Sequence, residues 1–255
     1  MKLSIITVNL NNRPGLQKTI ESVVSQTYKE FEWIVIDGGS TDGSKELIEE
    51  YAEYISYWVS EPDKGIYNAM NKGIAASHGE YLLFLNSGDT LYDEKILNRV
   101  VNSLQGKEMY VGDSHTVNGI DKLDLSSRDK VFYTLLKRGF PHQSIFYHNS
   151  IFQTVGYYRE DLETCADWIV NIQAVIFNDA TVEKIPFVIS VIEPGGVSTL
   201  VELVSKDMKK LEGEHANLNY IFSFYVKFYV LIERIKNNPV RRRLGLWYAS
   251  INKWI

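Results

Sequence analysis

The spacing of apolar residues changes period several times in the first hundred positions. Leu3 to Val8 (LSIITV) is a near-continuous apolar run, and Phe31 to Asp37 (FEWIVID), Tyr57 to Ser60 (YWVS) and Tyr81 to Leu85 (YLLFL) are of the same kind. Short runs rich in β-branched and aromatic residues are the pattern of strands buried on both faces. Between them the apolar positions recur at helical spacing. Pro14 opens a helix with Leu16, Ile20, Val23 and Val24 on one face, Ser40 or Asp42 caps a second carrying Leu47, Ile48 and Tyr51, and a third runs from about Asn68 to Ala76. Alternation of strand and helix predicts an α/β fold on a mostly parallel sheet flanked by helices, and such sheets bind ligands beyond the carboxyl ends of their strands.

Three of those ends are alike. The first strand finishes in Thr7-Val8-Asn9-Leu10-Asn11-Asn12, the second in Asp37-Gly38-Gly39-Ser40-Thr41-Asp42-Gly43, and the fourth in Asn86-Ser87-Gly88-Asp89. Each loop alone is accounted for by turn and cap chemistry, because Asx, Ser and Gly favour both. Three polar ends on one rim are better explained by a ligand. The pattern G-x-G-x-x-G does not follow the first strand, and G-x-x-x-x-G-K-[ST] is absent, which excludes the two common nucleotide loops. What remains is a nucleotide held by side chains, with Asp37 accepting from a base or ribose and Asp89 holding a cation on the phosphates. Magnesium and manganese need few protein ligands when a diphosphate and water complete the shell.

Composition narrows the setting. The chain has 255 residues, 45% hydrophobic and 23% charged, which are globular values, and enough length for one large domain or a domain with an appendage. Its single cysteine, Cys165, excludes an internal disulfide and a cysteine-based zinc site. The apolar run Leu3 to Val8 is too short for a signal peptide, and the longest later stretch, 221 to 232, is broken by Lys227; no spanning helix is expected, and the expected location is cytoplasmic. The net charge of −5 hides an asymmetry. Residues 1 to 224 hold 20 basic and 31 acidic side chains, and residues 225 to 255 hold 7 and 1. Arg241, Arg242, Arg243, Trp247, Tyr248 and Trp254 in that tail suit either an anionic membrane surface met by residues 220 to 255 or a helical pair with a solvated basic face. The acidic remainder argues against nucleic acid.

The segments SIITVNLNN, VIDGGSTDGS and EPDKGIYNAMNKGIAASHGEYLLFLNSGD, in that order, resemble the nucleotide-binding half of a family 2 glycosyltransferase with the GT-A fold, and the variant Asn-Ser-Gly-Asp spelling resembles a bacterial polysaccharide-assembly branch. The likeness covers about residues 3 to 105 and continues more weakly, through FPHQSIFY and TCADWIV, to about 199. It implies a donor half (3 to 105) and an acceptor half (106 to 199) of one domain, followed by a helical extension over 200 to 255. It implies inverting transfer from a nucleotide diphosphate sugar, UDP-linked, to a saccharide hydroxyl, the acceptor lipid-linked where the enzyme works at the inner membrane face, with Mn2+ or Mg2+ as cofactor.

By the same resemblance, Thr7, Asn9, Asn11 and Asp37 match base and ribose contacts, with Leu10 where the family often has tyrosine. Asp63, Lys64 and Asn68 match the segment along which ribose and diphosphate pass. Asn86, Ser87, Gly88 and Asp89 occupy the usual Asp-x-Asp and following acid, leaving Asp89 as the motif's carboxylate and metal ligand and Asn86 and Ser87 as donor contacts. Asp167 matches the family's catalytic base, with Ala166 in place of the usual glutamate and Glu160-Asp161 as a rival pair; an aspartate there also serves as a helix cap. His142 and Gln143 fall on the acceptor side. Two other classes fit parts of the pattern: a nucleotidyltransferase, which would want a glycine-rich basic loop after the first strand, and a nucleotide-sugar-binding module without activity.

Overall fold

A computed structural model describes residues 1–196 and 201–214. The basic, aromatic tail singled out above, 220 to 255, lies outside the described residues, as does the domain boundary expected at 199/200. Met1–Val204 forms one compact unit and Ser205–Ile255 a second. No helix among the described residues is long and apolar enough to cross a membrane.

The expected strands are all present: β1 (Leu3–Asn9), β2 (Phe31–Asp37), β3 (Tyr57–Ser60) and β4 (Tyr81–Phe84). They pair in parallel in the order β3-β2-β1-β4, with Asn9 beside Asp37 and Asp37 beside Ser60 at the carboxyl edge. The remaining strands are β5 (Thr90–Leu91), β6 (Met109–Thr116), β7 (Gly119–Asp121), β8 (Ile145–His148) and β9 (Val182–Val191). They continue the same nine-stranded sheet as β4-β8-β6-β9-β5, with β7 on β6. Strand β8 runs antiparallel to β4, so the start of β8 lies at the carboxyl end of β4. That reversal carries residues of the second half onto the rim of the first.

Helix α1 (Arg13–Val24) begins one residue before Pro14, because Asn12 is its N-cap and accepts the Gly15 N–H at 3.1 Å. Helix α2 (Ser44–Glu50) is capped by neither Ser40 nor Asp42. Gly43 takes that position with φ 90°, and Asp42 accepts the Ser44 N–H at 3.1 Å. Helix α3 (Ile66–Ala76) starts two residues earlier than the apolar pattern indicates. Then come α4 (Ile96–Val101), α5 (Arg128–Arg138), α6 (Ser150–Val155), α7 (Ala166–Ile172), which ends in a π-helical turn Gln173–Phe177, and α8 (Val201–Glu214). The core follows strand alternation. Leu3, Ile5, Trp33, Val35 and Leu83 pack with Leu16 and Ile20 of α1, Leu47 and Ile48 of α2 and Ile96, Leu97 and Val100 of α4. Ile6, on the opposite face of β1, meets α3 at Gly73.

Candidate functional site

The three polar strand ends are knitted together. The Asn9 amide donates to Asp37 Oδ1 at 2.7 Å and to Ser40 Oγ at 3.2 Å, the Asn11 N–H donates to Ser40 Oγ at 2.7 Å, and Asn11 Oδ1 accepts the Thr41 N–H at 2.9 Å. Asn11 has φ 47°, a conformation asparagine tolerates better than most residues. On the other side, the Asn12 amide donates to the Ser87 carbonyl at 3.2 Å and the Ser87 N–H to the Val8 carbonyl at 3.0 Å. The loop after β1 therefore joins the loops after β2 and β4 into one rim.

Two of the expected contact residues are sealed inside that rim. Asp37 is wholly buried, and its carboxylate accepts four hydrogen bonds: from Asn9 Nδ2 (2.7 Å) and Ser40 Oγ (2.6 Å) on Oδ1, and from the Ser40 N–H (2.9 Å) and Ser60 Oγ (2.6 Å) on Oδ2. With its lone-pair directions filled, it organises the rim and has no surface for a base or ribose. Burial alone would push its pKa up; the bonds from Ser40, Ser60 and Asn9 outweigh burial and hold it below the usual carboxylate value. Thr7 is also wholly buried, its hydroxyl accepting the Trp33 indole N–H at 3.0 Å. Its side chain belongs to the core.

Others stand at the surface. Leu10 is 54% exposed, and Asp63 lies against the same glycine, Gly38, where an added Cβ would meet Asp63 Oδ2 at 2.5 Å and Leu10 at 3.2 Å. The Lys64 ammonium is exposed and has no partner among the described residues, while its N–H donates to Asn68 Oδ1 at 3.2 Å. Asn68 and Asn71 grip the two oxygens of Glu160 at 2.9 and 3.0 Å, and Asp161 pairs with Arg159. Glu160 of the rival pair thus tethers α3 to the 158–161 segment, while Asp161 is held within that segment.

The loop after β4 is held from the second half of the chain. Gln143 donates to Asp89 Oδ2 at 2.9 Å and the Glu193 N–H to Oδ1 at 2.9 Å, leaving Asp89 6% exposed. Burial pushes its pKa up, against the partial opposition of those two bonds and of nearby His142. The Glu193 carboxylate lies over Gly88, which has φ 103° and would bring a Cβ within 2.0 Å of Glu193 Oε2; its other oxygen pairs with Lys18 at 2.7 Å. Asn86 Nδ2 and His142 Nε2 are 3.1 Å apart, and Asn86 Oδ1 is buried without a partner among the described residues. His142 Nδ1 lies 3.1 Å from Asp167 Oδ2, and the Tyr67 hydroxyl donates to Asp167 Oδ1 at 3.0 Å.

Asp167 therefore stands in one hydrogen-bonded chain with Asn86. Burial opposes its charge, but the hydrogen bond and field of His142 and the bond from Tyr67 hold its pKa below the usual value, so it is ionised at neutral pH. The Tyr67 hydroxyl is pushed well up, by burial first and then by Asp167. Tyr67, Ser60 and Glu193 are partners the sequence did not single out. Tyr67 adjoins the matched Asn68, whereas Glu193 follows β9 with no local pattern to mark it.

As donors for a cation the motif offers oxygen only. The orphaned Asn86 Oδ1 and the remaining lone pairs of Asp89 are of the type that suits Mg2+ or Mn2+. No group of three or more His, Cys, Asp or Glu converges in a way that could hold a metal among the described residues.

A family model described as glycosyl transferase family 2 matches residues 4–162. An "Uncharacterized glycosyltransferase Rv1514c" of Mycobacterium tuberculosis is 35% identical over 175 residues, 65% of this chain and 65% of that protein, just under two thirds of the relative's length. A "PGL/p-HBAD biosynthesis glycosyltransferase" of Mycobacterium bovis BCG is 32% identical over 219 residues, 81% of this chain and 82% of that one. Among solved structures, Staphylococcus aureus TarS 1-349 in complex with UDP-GlcNAc superposes with a TM-score of 0.65 at 18% identity, covering 78% of this chain and 61% of that one. The mannosyltransferase PcManGT of Pyrobaculum calidifontis, in complex with GDP-Man and Mn2+, gives 0.60 at 14%, covering 99% and 81%. These structural likenesses establish the GT-A fold.

Proposed function

The chain belongs to glycosyltransferase family 2, and from that premise we propose that it moves a hexosyl or N-acetylhexosaminyl group, with inversion, from a UDP-linked sugar to a hydroxyl of a saccharide acceptor in bacterial surface polysaccharide or glycolipid assembly. The observation that carries this reading is the contact of Asp167, through His142, with the loop after β4: an ionised carboxylate from the second half beside the motif position that serves the donor. The relatives named for PGL/p-HBAD biosynthesis and the fold neighbours solved with UDP-GlcNAc and GDP-Man favour a nucleotide-sugar donor.

In this reading Asn9, Asn11, Asp63, Lys64, Asn68 and Ser87 hold the nucleotide and diphosphate, with Asp37 and Thr7 shaping the main chain that carries them. Lys64 supplies positive charge to the phosphates, and Gln143 sets Asp89. Asp89 and Asn86 would hold a divalent cation, Mn2+ or Mg2+, which neutralises charge on the departing diphosphate. Asp167 takes the proton of the acceptor hydroxyl as that oxygen bonds to the anomeric carbon from the face opposite the diphosphate. The bond from that carbon to the diphosphate oxygen breaks, its electron pair leaves with the nucleoside diphosphate, and the configuration inverts. His142 and Tyr67 keep the base aimed. The tail over 220 to 255 would bring the enzyme to an anionic membrane face where a lipid-linked acceptor is met.

The test is turnover of candidate nucleotide sugars with and without manganese. Asp167→Asn should lower kcat by about 100-fold or more while leaving donor binding intact, and Asp89→Ala should remove the manganese-dependent rise in melting temperature expected with donor. Binding without turnover in the wild type, unchanged by either substitution, would identify a binding module.

A further inference from the structure

Asp37, the acid that the resemblance assigns to the base and ribose, is wholly buried with both oxygens filled, so a nucleotide held at this rim needs another acceptor. The next loop supplies one. Segment 61–65 lies directly on the loop after β2: the Glu61 N–H donates to the Asp37 carbonyl at 3.0 Å, and a Cβ added to Gly39 would meet the Pro62 nitrogen at 3.0 Å. Within it Asp63 is fixed by one oxygen. Its Oδ1 accepts the Gly65 N–H at 2.8 Å, and its Oδ2 has no hydrogen-bond partner among the described residues. That free oxygen and the Leu10 side chain converge over Gly38, where a Cβ would stand 2.5 Å from Oδ2 and 3.2 Å from Leu10 Cδ1. Leu10 is 54% exposed, an apolar side chain among polar neighbours.

We propose that Asp63 selects the nucleobase: uracil rests a face on Leu10 and donates its N3–H to Asp63 Oδ2, a contact the sealed Asp37 cannot make. This deepens the reading above and rests on it for a nucleotide-linked donor. An apolar face bordered by a bare carboxylate oxygen suits a flat ring with an N–H on its edge, whereas a ribose gains nothing against Leu10. Uracil has one such N–H, and Asp63 has one free oxygen to receive it. The two adjacent donors of guanine would want both oxygens, and one of them is already held by the Gly65 N–H. Cytosine carries a lone pair at N3, which would be set against the carboxylate. A site that accepts a hydrogen bond from its ligand discriminates strongly against a ring that lacks the donor.

Titration calorimetry of the full chain with UDP, CDP, GDP and N3-methyl-UDP tests this. The wild type is expected to bind UDP about tenfold or more tighter than CDP or N3-methyl-UDP. The methylated nucleotide probes the contact with no change to the protein. Asp63→Asn keeps the Gly65 bond through Oδ1 and puts an NH2 group where Oδ2 stands, so an acceptor becomes a donor. It should lose about tenfold for UDP and gain affinity for CDP, so that the preference vanishes or reverses. Leu10→Ala should weaken UDP and CDP by a similar factor and leave their ratio unchanged. Thermal melting of each variant without nucleotide establishes that it is folded. Equal binding of UDP and N3-methyl-UDP by the wild type, a UDP-to-CDP ratio untouched by Asp63→Asn, or GDP bound more tightly than UDP would overturn the proposal and leave the transferase reading in place. Failure of every nucleotide and of UDP-GlcNAc to bind would instead remove that reading and this inference with it.

Discussion

Asp37 turns four donors toward one buried carboxylate, and removing the charge leaves those donors aimed at a group that cannot accept them all. Asp37→Asn is expected to cost about 2 to 3 kcal/mol in urea unfolding at neutral pH. The pH dependence follows from the lowered folded pKa. Stability from this group is fully present above the unfolded value of 3.8 and is lost as pH falls through the lower folded value. The gap between wild type and Asp37→Asn should therefore be constant above about pH 5 and close below about pH 4; a gap that persists at low pH would show that the charge is not the cause. The position of Asp37 at a strand end was legible in the sequence, because strand length fixes it. Its inward orientation was not, since Ser40 and Ser60, the hydroxyls that draw it in, belong to another part of the loop and to the next strand. The same holds for Asp167. Its place at the start of α7 is a local pattern, whereas its contact with Tyr67 spans a hundred residues of chain.

Among the elements, α3 depends on a close approach. Gly73 sits where a Cβ would come within 2.4 Å of Ile6 Cγ2, so the helix lies nearly on β1, which holds Tyr67 and Asn68 at the rim. Gly73→Ala gains about 1 kcal/mol of helix propensity, but forcing the helix off a packed strand typically costs 1 to 3 kcal/mol. A net loss of stability is expected in urea unfolding, with weaker donor binding because the Asn68 end of the helix moves; unchanged stability and binding would show that the contact relaxes freely. The first four strands and three helices were readable because parallel strands covered on both faces are continuously apolar. Beyond residue 105 the sheet loses that signature. Strand β9 mixes buried, partly buried and exposed positions without clean alternation, and β5 is two residues long. Such strands are specified by partners, and their own period says little.

Taken whole, the molecule carries opposite charges at its two ends of sequence: 31 acidic against 20 basic residues up to 224, and 1 against 7 beyond. Sedimentation with liposomes containing anionic lipid is expected to retain the full chain and to release one ending before Asn219, at about 1 kcal/mol for each basic residue that nears the surface. Equal binding by both would remove the tail from the account. The resemblance divides the chain near residue 105 into an expected donor and an expected acceptor portion, but the sheet does not divide there. Strand β8 pairs with β4 on one side and β6 on the other, and delivers His142 and Gln143 to the end of β4. Recombination between relatives at that apparent junction would thus import a foreign β8 beside a native β4, and with it the His142 and Gln143 positions that contact Asn86 and Asp89. For this fold, exchange of donor preference has to travel with the strand that borders it, so the unit of inheritance is wider than the motif map implies.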